Sequence, residues 1–162
     1  CIMDKLPGAV LKANQSGRLE ELLQMLDMQD LLDSDEVLET YKTGRIVVIG
    51  YFDAKPKDLY GVAKNIGIEK ERLELVDLGS THTFDYHALE YNPKVCAIMF
   101  GPIAHKTKGT GDSSSAITNC EKHRDRFATV YRLSANNALK ITKTSFRNAL
   151  EQGIDDGAIA AA

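Results

Sequence analysis

One turn in the sequence carries the residue types that bind a negatively charged group. It spans residues 101–115 and follows the most apolar stretch of the chain. Gly109 and Gly111 permit positive φ angles and a close approach of the backbone to a ligand. Ser113 and Ser114 stand where a helix is predicted to begin, and the backbone N–H groups at a helix N-terminus attract anions. The turn is therefore predicted to hold a phosphate or another anion.

Positively charged and amide side chains accompany this predicted anion site. Lys106 and Lys108 lie within the turn, and Lys140 and Lys143 lie in a later segment that contains no acidic residue. The predicted ligand-binding residues are Gly101, His105, Lys106, Lys108, Gly109, Gly111, Ser113, Ser114, Asn136, Asn137, Lys140 and Lys143. In this set the lysines would neutralise charge, and the two asparagines would contact a base or a sugar.

Each of these features also has a purely structural interpretation. The 101–115 turn could be a surface loop in which Asp112 or Ser113 only caps the following helix. The later lysines, together with Arg147, could form a solvated helix face beside an asparagine turn. Loops longer than about a dozen residues are uncommon unless they are functional or disordered, and this length favours the anion site.

A histidine in the same turn suggests a second kind of chemistry. One of the serines over 113–115 would attack a substrate while His105 takes its proton, and Asp53 or Asp112 would orient the histidine. The alternative is that His105 is an exposed loop histidine. The candidate catalytic residues are therefore His105, Ser113 and Asp53. The sequence leaves open whether the chain is an enzyme, and it indicates no cofactor.

Several motifs with known chemistry are missing or incomplete in the sequence. The segment 109–111 begins like the dinucleotide-binding motif GxGxxG, but Ser114 stands at the third glycine position. The segment also does not follow the first predicted strand, as that motif requires. The motifs GxxxxGK(S/T), GxSxG and HExxH do not occur. His82 and His87, with the aspartates near them, match no familiar ligand set, so no metal site is predicted.

The elements that would position these residues alternate between strands and helices from residue 45 onward. The predicted strands cover 45–50, 73–78, 95–100, 128–133 and a short fifth stretch, 139–141. The predicted helices cover 56–66, 112–122 and a last segment that is capped by Thr142 or Thr144 and followed by Gly153. This alternation predicts a three-layer α/β sandwich with a small parallel sheet of four to five strands, Rossmann-like or flavodoxin-like. Ligands of such sheets bind beyond the carboxyl ends of the strands, where the turns should converge.

A predicted helical extension precedes this sheet. Four leucines between residues 19 and 26 recur at helical spacing, and Ser34 would cap a second helix through Val37, Leu38 and Tyr41. The predicted organisation is an acidic helical extension over 1–43, a Rossmann-like domain over 44–154 and a low-information tail over 155–162.

Charge and composition narrow the class of partner. A net charge of −3 argues against general binding to nucleic acid. The basic residues Lys122, Arg124, Arg126 and Arg132 are too dispersed to change that conclusion. No apolar run reaches the roughly 18–20 residues that span a bilayer, so no membrane partner is predicted. Three cysteines without a CxxC pair are typical of reduced thiols in a cytoplasmic protein.

Two hypotheses for function follow from the sequence. In the first, the chain binds an anionic small molecule, such as a nucleotide or a phosphorylated metabolite, at the carboxyl ends of the strands. In the second, the chain is a non-catalytic assembly module that forms a homodimer or binds a protein partner through residues 18–42. This acidic segment has more leucines than a free helix would leave exposed to water. Either the leucines pack on the sheet domain, or they form a surface for a dimer or a protein partner.

Overall fold

The computed structural model of the chain describes residues 2–31, 37–80, 84–103 and 113–162. The chain divides into two compact units, Cys1–Glu36 and Val37–Ala162. The first unit contains α1 (Ile2–Gln15), α2 (Leu19–Met25) and a 3₁₀ turn, Gln29–Leu31. The described elements of the second unit are β1 (Arg45–Gly50), α3 (Pro56–Ile66), a 3₁₀ turn (Lys70–Arg72), β2 (Leu73–Asp77), a 3₁₀ turn (Tyr86–Leu89), β3 (Val95–Phe100), α4 (Ser113–Lys122), β4 (Thr129–Arg132), β5 (Ser134–Ala135), β6 (Ala138–Leu139) and α5 (Lys143–Asp155).

Four of these strands form a parallel sheet in the order β2-β1-β3-β4. The central strands are apolar on both faces, and every residue of β3 is buried, as expected for strands covered by helices on both sides. α3 and α5 pack on one face, while α4 and the 3₁₀ turn Tyr86–Leu89 pack on the other. The predicted three-layer α/β sandwich, preceded by a helical segment, is therefore confirmed.

The strand order decides between two arrangements that the sequence left open. The order β2-β1-β3-β4 is that of the first four strands in flavodoxin-like sheets, whereas Rossmann sheets begin with the order 3-2-1. β1 connects through α3 to β2 on one side, and β3 connects through α4 to β4 on the other. The carboxyl ends of β1 and β3 therefore flank the switch point, where the connections change direction.

The fifth strand predicted over 139–141 does not join the parallel sheet. β5 and β6 instead form a separate antiparallel hairpin. Asn136 and Asn137 make its two-residue turn with φ angles of 53° and 62°, the combination that a type I′ turn requires and that asparagine tolerates. Beyond the hairpin, Ile141 makes a single parallel bridge to Phe52. The end of the predicted strand therefore contacts the turn after β1.

Local capping chemistry confirms the predicted ends of two helices. α3 begins with Pro56 and ends at Gly67, whose φ of 93° is left-handed. α5 is capped by Thr142, whose side chain accepts a hydrogen bond from the N–H of Ser145, while the Ser145 hydroxyl accepts one from the N–H of Thr142. These two reciprocal bonds form a capping box.

The last residues of the chain differ from the sequence prediction. Gly153, predicted to follow the last helix, lies inside α5. A Cβ there would stand 2.5 Å from Cδ1 of Ile159, so the packing of Ile159 explains the glycine at this position. The tail over 155–162, predicted to carry little information, packs onto the second unit. Ile159 is buried in its core, and the N–H of Ala160 donates to the O of Lys42 at 2.8 Å.

The helix predicted over residues 37–41 is not formed. The N–H of Leu38 donates to the O of Arg124, and the N–H of Tyr41 donates to the O of Pro93, both at 2.8 Å. These long-range partners satisfy backbone donors that a helix would have used internally. The segment belongs to the second unit.

The first unit contains one helix that the sequence predicts and one that it does not. α2 confirms the leucine periodicity. α1 gave no clear signal because Pro7 and Gly8 disfavour a helix interior. Ser34, the predicted cap of a further helix, lies outside the described residues. No residue of α1 or α2 is buried.

Candidate functional site

The turns after β1 and β3 contact each other at the carboxyl edge of the sheet. The N–H of Tyr51 donates to the O of Pro102, and the N–H of Gly101 donates to the O of Ile49, both at 2.8 Å. Gly50 has a φ of 151°, and a Cβ there would lie 2.9 Å from the Pro102 oxygen. Glycine is required where the two turns meet. They form a fixed floor, residues 49–51 and 101–102, at the switch point.

Ile141 covers one end of this floor. It is fully buried, and a Cβ on Gly101 would collide with its side chain. The O of Ile141 accepts a hydrogen bond from the N–H of Ala54 at 3.0 Å, which ties it to the turn after β1. Packing against Ile141 therefore explains the glycine at position 101. The predicted contact of Gly101 with a ligand stays a prediction.

The N-terminus of α5 lies at the same edge, because Thr142 directly follows Ile141. The Ser145 hydroxyl donates to the O of Lys140 at 2.6 Å and so links the cap to the residue before Ile141. Lys140 and Lys143 are both exposed. The positive end of the helix dipole and two predicted ligand-binding lysines thus come to the carboxyl edge together.

The predicted asparagine contacts have a structural role in the hairpin. Asn136 and Asn137 are exposed, and both adopt the left-handed conformation that the turn between β5 and β6 needs. This confirms the asparagine turn that the sequence analysis considered as the alternative. Contact of these two side chains with a base or sugar stays a prediction.

Much of the predicted anion-binding turn lies outside the described residues. These positions are His105, Lys106, Lys108, Gly109, Gly111 and Asp112. Ser113 and Ser114 lie in the first turn of α4, and Asp53 is exposed in the turn after β1. The glycine-rich part of the anion site therefore stays a prediction. So does the catalytic arrangement of His105, Ser113 and Asp53.

A further polar group at the end of β2 was missed by the sequence analysis. Asp77 pairs with Gly50 in the sheet register, and its Oδ1 accepts a hydrogen bond from the N–H of Gly79 at 2.9 Å. Its Oδ2 lies 3.5 Å from the Ser80 hydroxyl. The Tyr51 ring, in a residue that is 39% exposed, lies close to Gly79 as well: its Cδ1 would be 3.8 Å from a Cβ on that glycine. An aspartate that ends a strand two positions before a glycine was a visible signal for this group.

The described cysteines are structural. Cys96 and Cys120 are free and buried. Burial raises the pKa of the Cys96 thiol, and burial raises the pKa of Cys120 to about 12. Both thiols therefore stay protonated near neutral pH, where a nucleophile would need to be a thiolate.

The described histidines have local partners. Nδ1 of His87 lies 3.2 Å from Oε1 of Glu90, and Nδ1 of His123 lies 2.9 Å from the O of Asn119. His82 lies outside the described residues. Within the described part of the chain, no three or more His, Cys, Asp and Glu side chains gather into a group that could hold a metal ion.

Three of the four basic residues considered for nucleic-acid binding have partners within the chain. Nε of Arg126 lies 3.8 Å from Oδ2 of Asp125. Arg132 makes a bidentate ion pair with Glu121 at 2.7 and 2.9 Å, and its hydrogen bonds hold the pKa of that carboxyl below its usual value. Arg124 donates to the Thr129 hydroxyl at 3.0 Å. The expected absence of nucleic-acid binding stays a prediction.

The chain matches no protein-family model, no curated protein and no solved structure. Inference about function therefore depends on the geometry of the described residues. Within those residues, no helix has both the length and the apolar character needed to cross a membrane.

Proposed function

We propose that the chain binds a negatively charged small molecule, either a nucleotide or a phosphorylated metabolite, at the carboxyl edge of its parallel sheet. The observation that carries this proposal is the switch point between β1 and β3. Ligands of open α/β sheets bind in the crevice at such a point. The two contacting turns give that crevice a fixed base.

The preference for an anion comes from the charges at this edge. The N-terminus of α5 favours a nearby negative charge by about 0.3–1 kcal/mol. Lys140 and Lys143 are exposed there, and each hydrogen bond from a charged group adds about 1.5–3 kcal/mol when it forms. α4 also begins, at Ser113, in the segment that follows β3. These donors favour a phosphate over a neutral ligand.

The double substitution Lys140→Gln and Lys143→Gln is expected to weaken anion binding at least tenfold, because two charge-assisted contacts are lost. The measurement is calorimetry at low ionic strength against inorganic phosphate, ribose 5-phosphate and a set of nucleotides. A matched control is Lys64→Gln with Lys122→Gln, which removes the same charge from exposed residues in the last turns of α3 and α4. The control should bind like the unmodified chain.

Two results would contradict this proposal. One is that no anion in the set binds the unmodified chain. The other is that the control loses as much affinity as the double variant at the carboxyl edge, since this would show that net charge alone governs binding. Increasing salt should weaken the interaction, because exposed charges are screened.

Any reaction at this site would use the same positively charged groups and helix N-termini that favour anion binding. A transfer or hydrolysis reaction would be assisted by donors aimed at developing negative charge. His105, Ser113 and Asp53 are the candidates for such a step, and the binding proposal does not depend on them.

Apolar exposure in the first unit favours a second candidate function, self-association. Ile2, Met3 and Met25 are 81%, 71% and 74% exposed, and no residue of α1 or α2 is buried. Exposed apolar side chains leave water when two copies associate, and this favours association. We propose that two copies associate through this unit, with apolar residues of the predicted 18–42 segment contributing.

The substitutions Met25→Lys and Leu31→Lys are expected to convert the dimer to a monomer, because each places a charge in an apolar contact. Light scattering would show the molar mass falling by half. The control, Gln15→Lys with Gln24→Lys, adds the same charge at exposed polar positions and should leave the mass unchanged. A chain that is monomeric at every concentration before substitution would exclude this function.

A further inference from the structure

The carboxylate of Asp77 is oriented by its own turn but keeps the capacity for further hydrogen bonds. Its two oxygens receive one hydrogen bond each, from the N–H of Gly79 at 2.9 Å and from the Ser80 hydroxyl at 3.5 Å. An ionised carboxylate has about four acceptor positions. A half-buried carboxylate with two fixed and two remaining acceptor positions suits a pair of neighbouring hydroxyl groups.

An aromatic ring lies beside this carboxylate. A Cβ on Gly79 would stand 3.1 Å from Oδ1 of Asp77 and 3.8 Å from Cδ1 of Tyr51. Both groups therefore lie close to the position that a Cβ of residue 79 would occupy. The Tyr51 side chain is 39% exposed, and an exposed aromatic face stacks on nucleobases with little preference for sequence. The glycine leaves the space between the two groups open.

The positions of the strand ends give this pair a defined distance from the anion site. Asp77 pairs with Gly50 across β2 and β1, and Ile49 pairs with Phe100 across β1 and β3. Neighbouring strands lie about 4.8 Å apart, so the ends of β2 and β3 are separated by about 10 Å. In a nucleoside phosphate, the phosphates lie at one end of such a span, and the sugar and base lie at the other end.

The turn after β1 lies between the two ends and leaves no room for a phosphate on Gly50. The Pro102 oxygen would lie only 2.9 Å from a Cβ of that glycine, so the space beside Gly50 is already occupied by the turn after β3. The phosphate is therefore expected on the β3 side, beside the N-terminus of α5. This differs from dinucleotide-binding folds, in which the turn after the first strand holds the pyrophosphate.

We infer that Tyr51 and Asp77 form the nucleoside end of the anion site, so that the ligand is a ribonucleotide whose base contacts Tyr51 and whose ribose hydroxyls bind Asp77. This inference rests on the proposed function, because the phosphate end is the anion site described above. It adds the class of ligand and two residues that determine specificity.

Calorimetry with the full chain tests this inference. The probes are the four common ribonucleoside 5′-monophosphates, their 2′-deoxy counterparts, ribose 5-phosphate and inorganic phosphate. At least one ribonucleotide should bind about tenfold more tightly than its 2′-deoxy counterpart, because the lost hydroxyl donates to a charged acceptor. The same ribonucleotide should bind at least tenfold more tightly than ribose 5-phosphate, which lacks a base to stack.

Two substitutions separate the sugar and base contacts. Asp77→Asn should reduce the ribo-to-deoxy preference to threefold or less, and it should weaken deoxynucleotide binding less than ribonucleotide binding, because the deoxynucleotide has only its 3′-hydroxyl to lose from this contact. Tyr51→Ala should weaken nucleotide binding about tenfold and leave ribose 5-phosphate binding unchanged. Glu69→Gln is the matched control for Asp77→Asn, since it removes one charge from an exposed position after α3. It should keep the full preference. Tyr51→Ala also tests the inference if Asp77→Asn does not fold.

The outcomes distinguish the inference from the proposed function. If phosphate and ribose 5-phosphate bind as tightly as every nucleotide, and neither substitution changes the preferences, the nucleoside end is overturned while the anion site stands. If no probe binds the unmodified chain, both are overturned. A ribo-to-deoxy preference that Asp77→Asn removes and Glu69→Gln keeps supports the inference.

Discussion

Replacing Arg72 with methionine is expected to lower the free energy of unfolding by about 3 kcal/mol. The half-buried guanidinium donates from Nε to the O of Gly44 at 3.0 Å, from Nη2 to the O of Lys42 at 2.9 Å, and from Nη1 to the O of Ala160. Methionine keeps the apolar stem but leaves three carbonyls without this donor. Each such bond contributes about 1.5–3 kcal/mol, and water that reaches the half-buried site recovers part of the total. Urea unfolding measures the loss.

The matched control for this prediction is Arg45→Met. Arg45 makes an ion pair with Glu74 at 3.0 Å, but both side chains are more than two-fifths exposed, so the pair should contribute about 1 kcal/mol at most. Arg72→Lys should still lower the free energy of unfolding more than Arg45→Met does. A single ammonium group lacks the forked geometry with which the guanidinium donates to three separate carbonyls. An Arg72→Met variant no less stable than Arg45→Met would show that the guanidinium does not hold these segments together.

Gly101→Ala is expected to destabilise the chain by about 3 kcal/mol, because the added methyl group overlaps the buried Ile141 side chain. Ile141→Ala should cost about 3 kcal/mol through the cavity that it leaves. The double substitution should cost about 4 kcal/mol instead of the sum, because the new methyl group occupies part of that cavity. A double-mutant cycle in urea gives the coupling energy, which should be about 2 kcal/mol.

Gly61→Ala provides the control for this cycle. Gly61 lies inside α3, and a Cβ there would have no heavy atom within 4 Å. Alanine is favoured over glycine in a helix interior, so this substitution should stabilise the chain by about 0.5–1 kcal/mol. The same chemical change is thus expected to act in opposite directions at the two sites. Strict additivity of the Gly101 and Ile141 substitutions would show that the glycine is required for another reason.

The parts of the fold that were predictable are those with local signals. The buried strands read as continuous apolar runs, and α3 is bounded by Pro56 and Gly67. The errors came from partners distant in sequence. The local pattern of residues 37–41 predicts a helix, but in the structure two of their N–H groups donate to carbonyls more than 50 residues away. The position of Gly153 is typical of a helix end, but the packing of Ile159 explains the glycine there.

The convergence of turns at the carboxyl edge was predictable, but only some of the contacts between them were. The rule that ligands bind at the carboxyl ends of parallel strands directed attention to this edge, and the presence of a ligand site there stays a proposal. The strand order, which sets the switch point, has no local signal. Asp77 and Tyr51 come together only because β2 pairs with β1. The packing role of Gly101 had no local signal either, because the Ile141 side chain that covers it follows 40 positions later.

The hydrogen bonds of Arg72 also bear on the order of folding events. Their acceptors lie 28, 30 and 88 positions away along the chain, and bringing such distant segments together costs loop entropy before any contact is gained. Parallel pairing adds further long-range contacts, which slow folding relative to a helical bundle. The hydrogen bond between Arg72 and Ala160 should therefore be among the last contacts of this unit to form. Until then the segments that it joins stay accessible to chaperones and proteases.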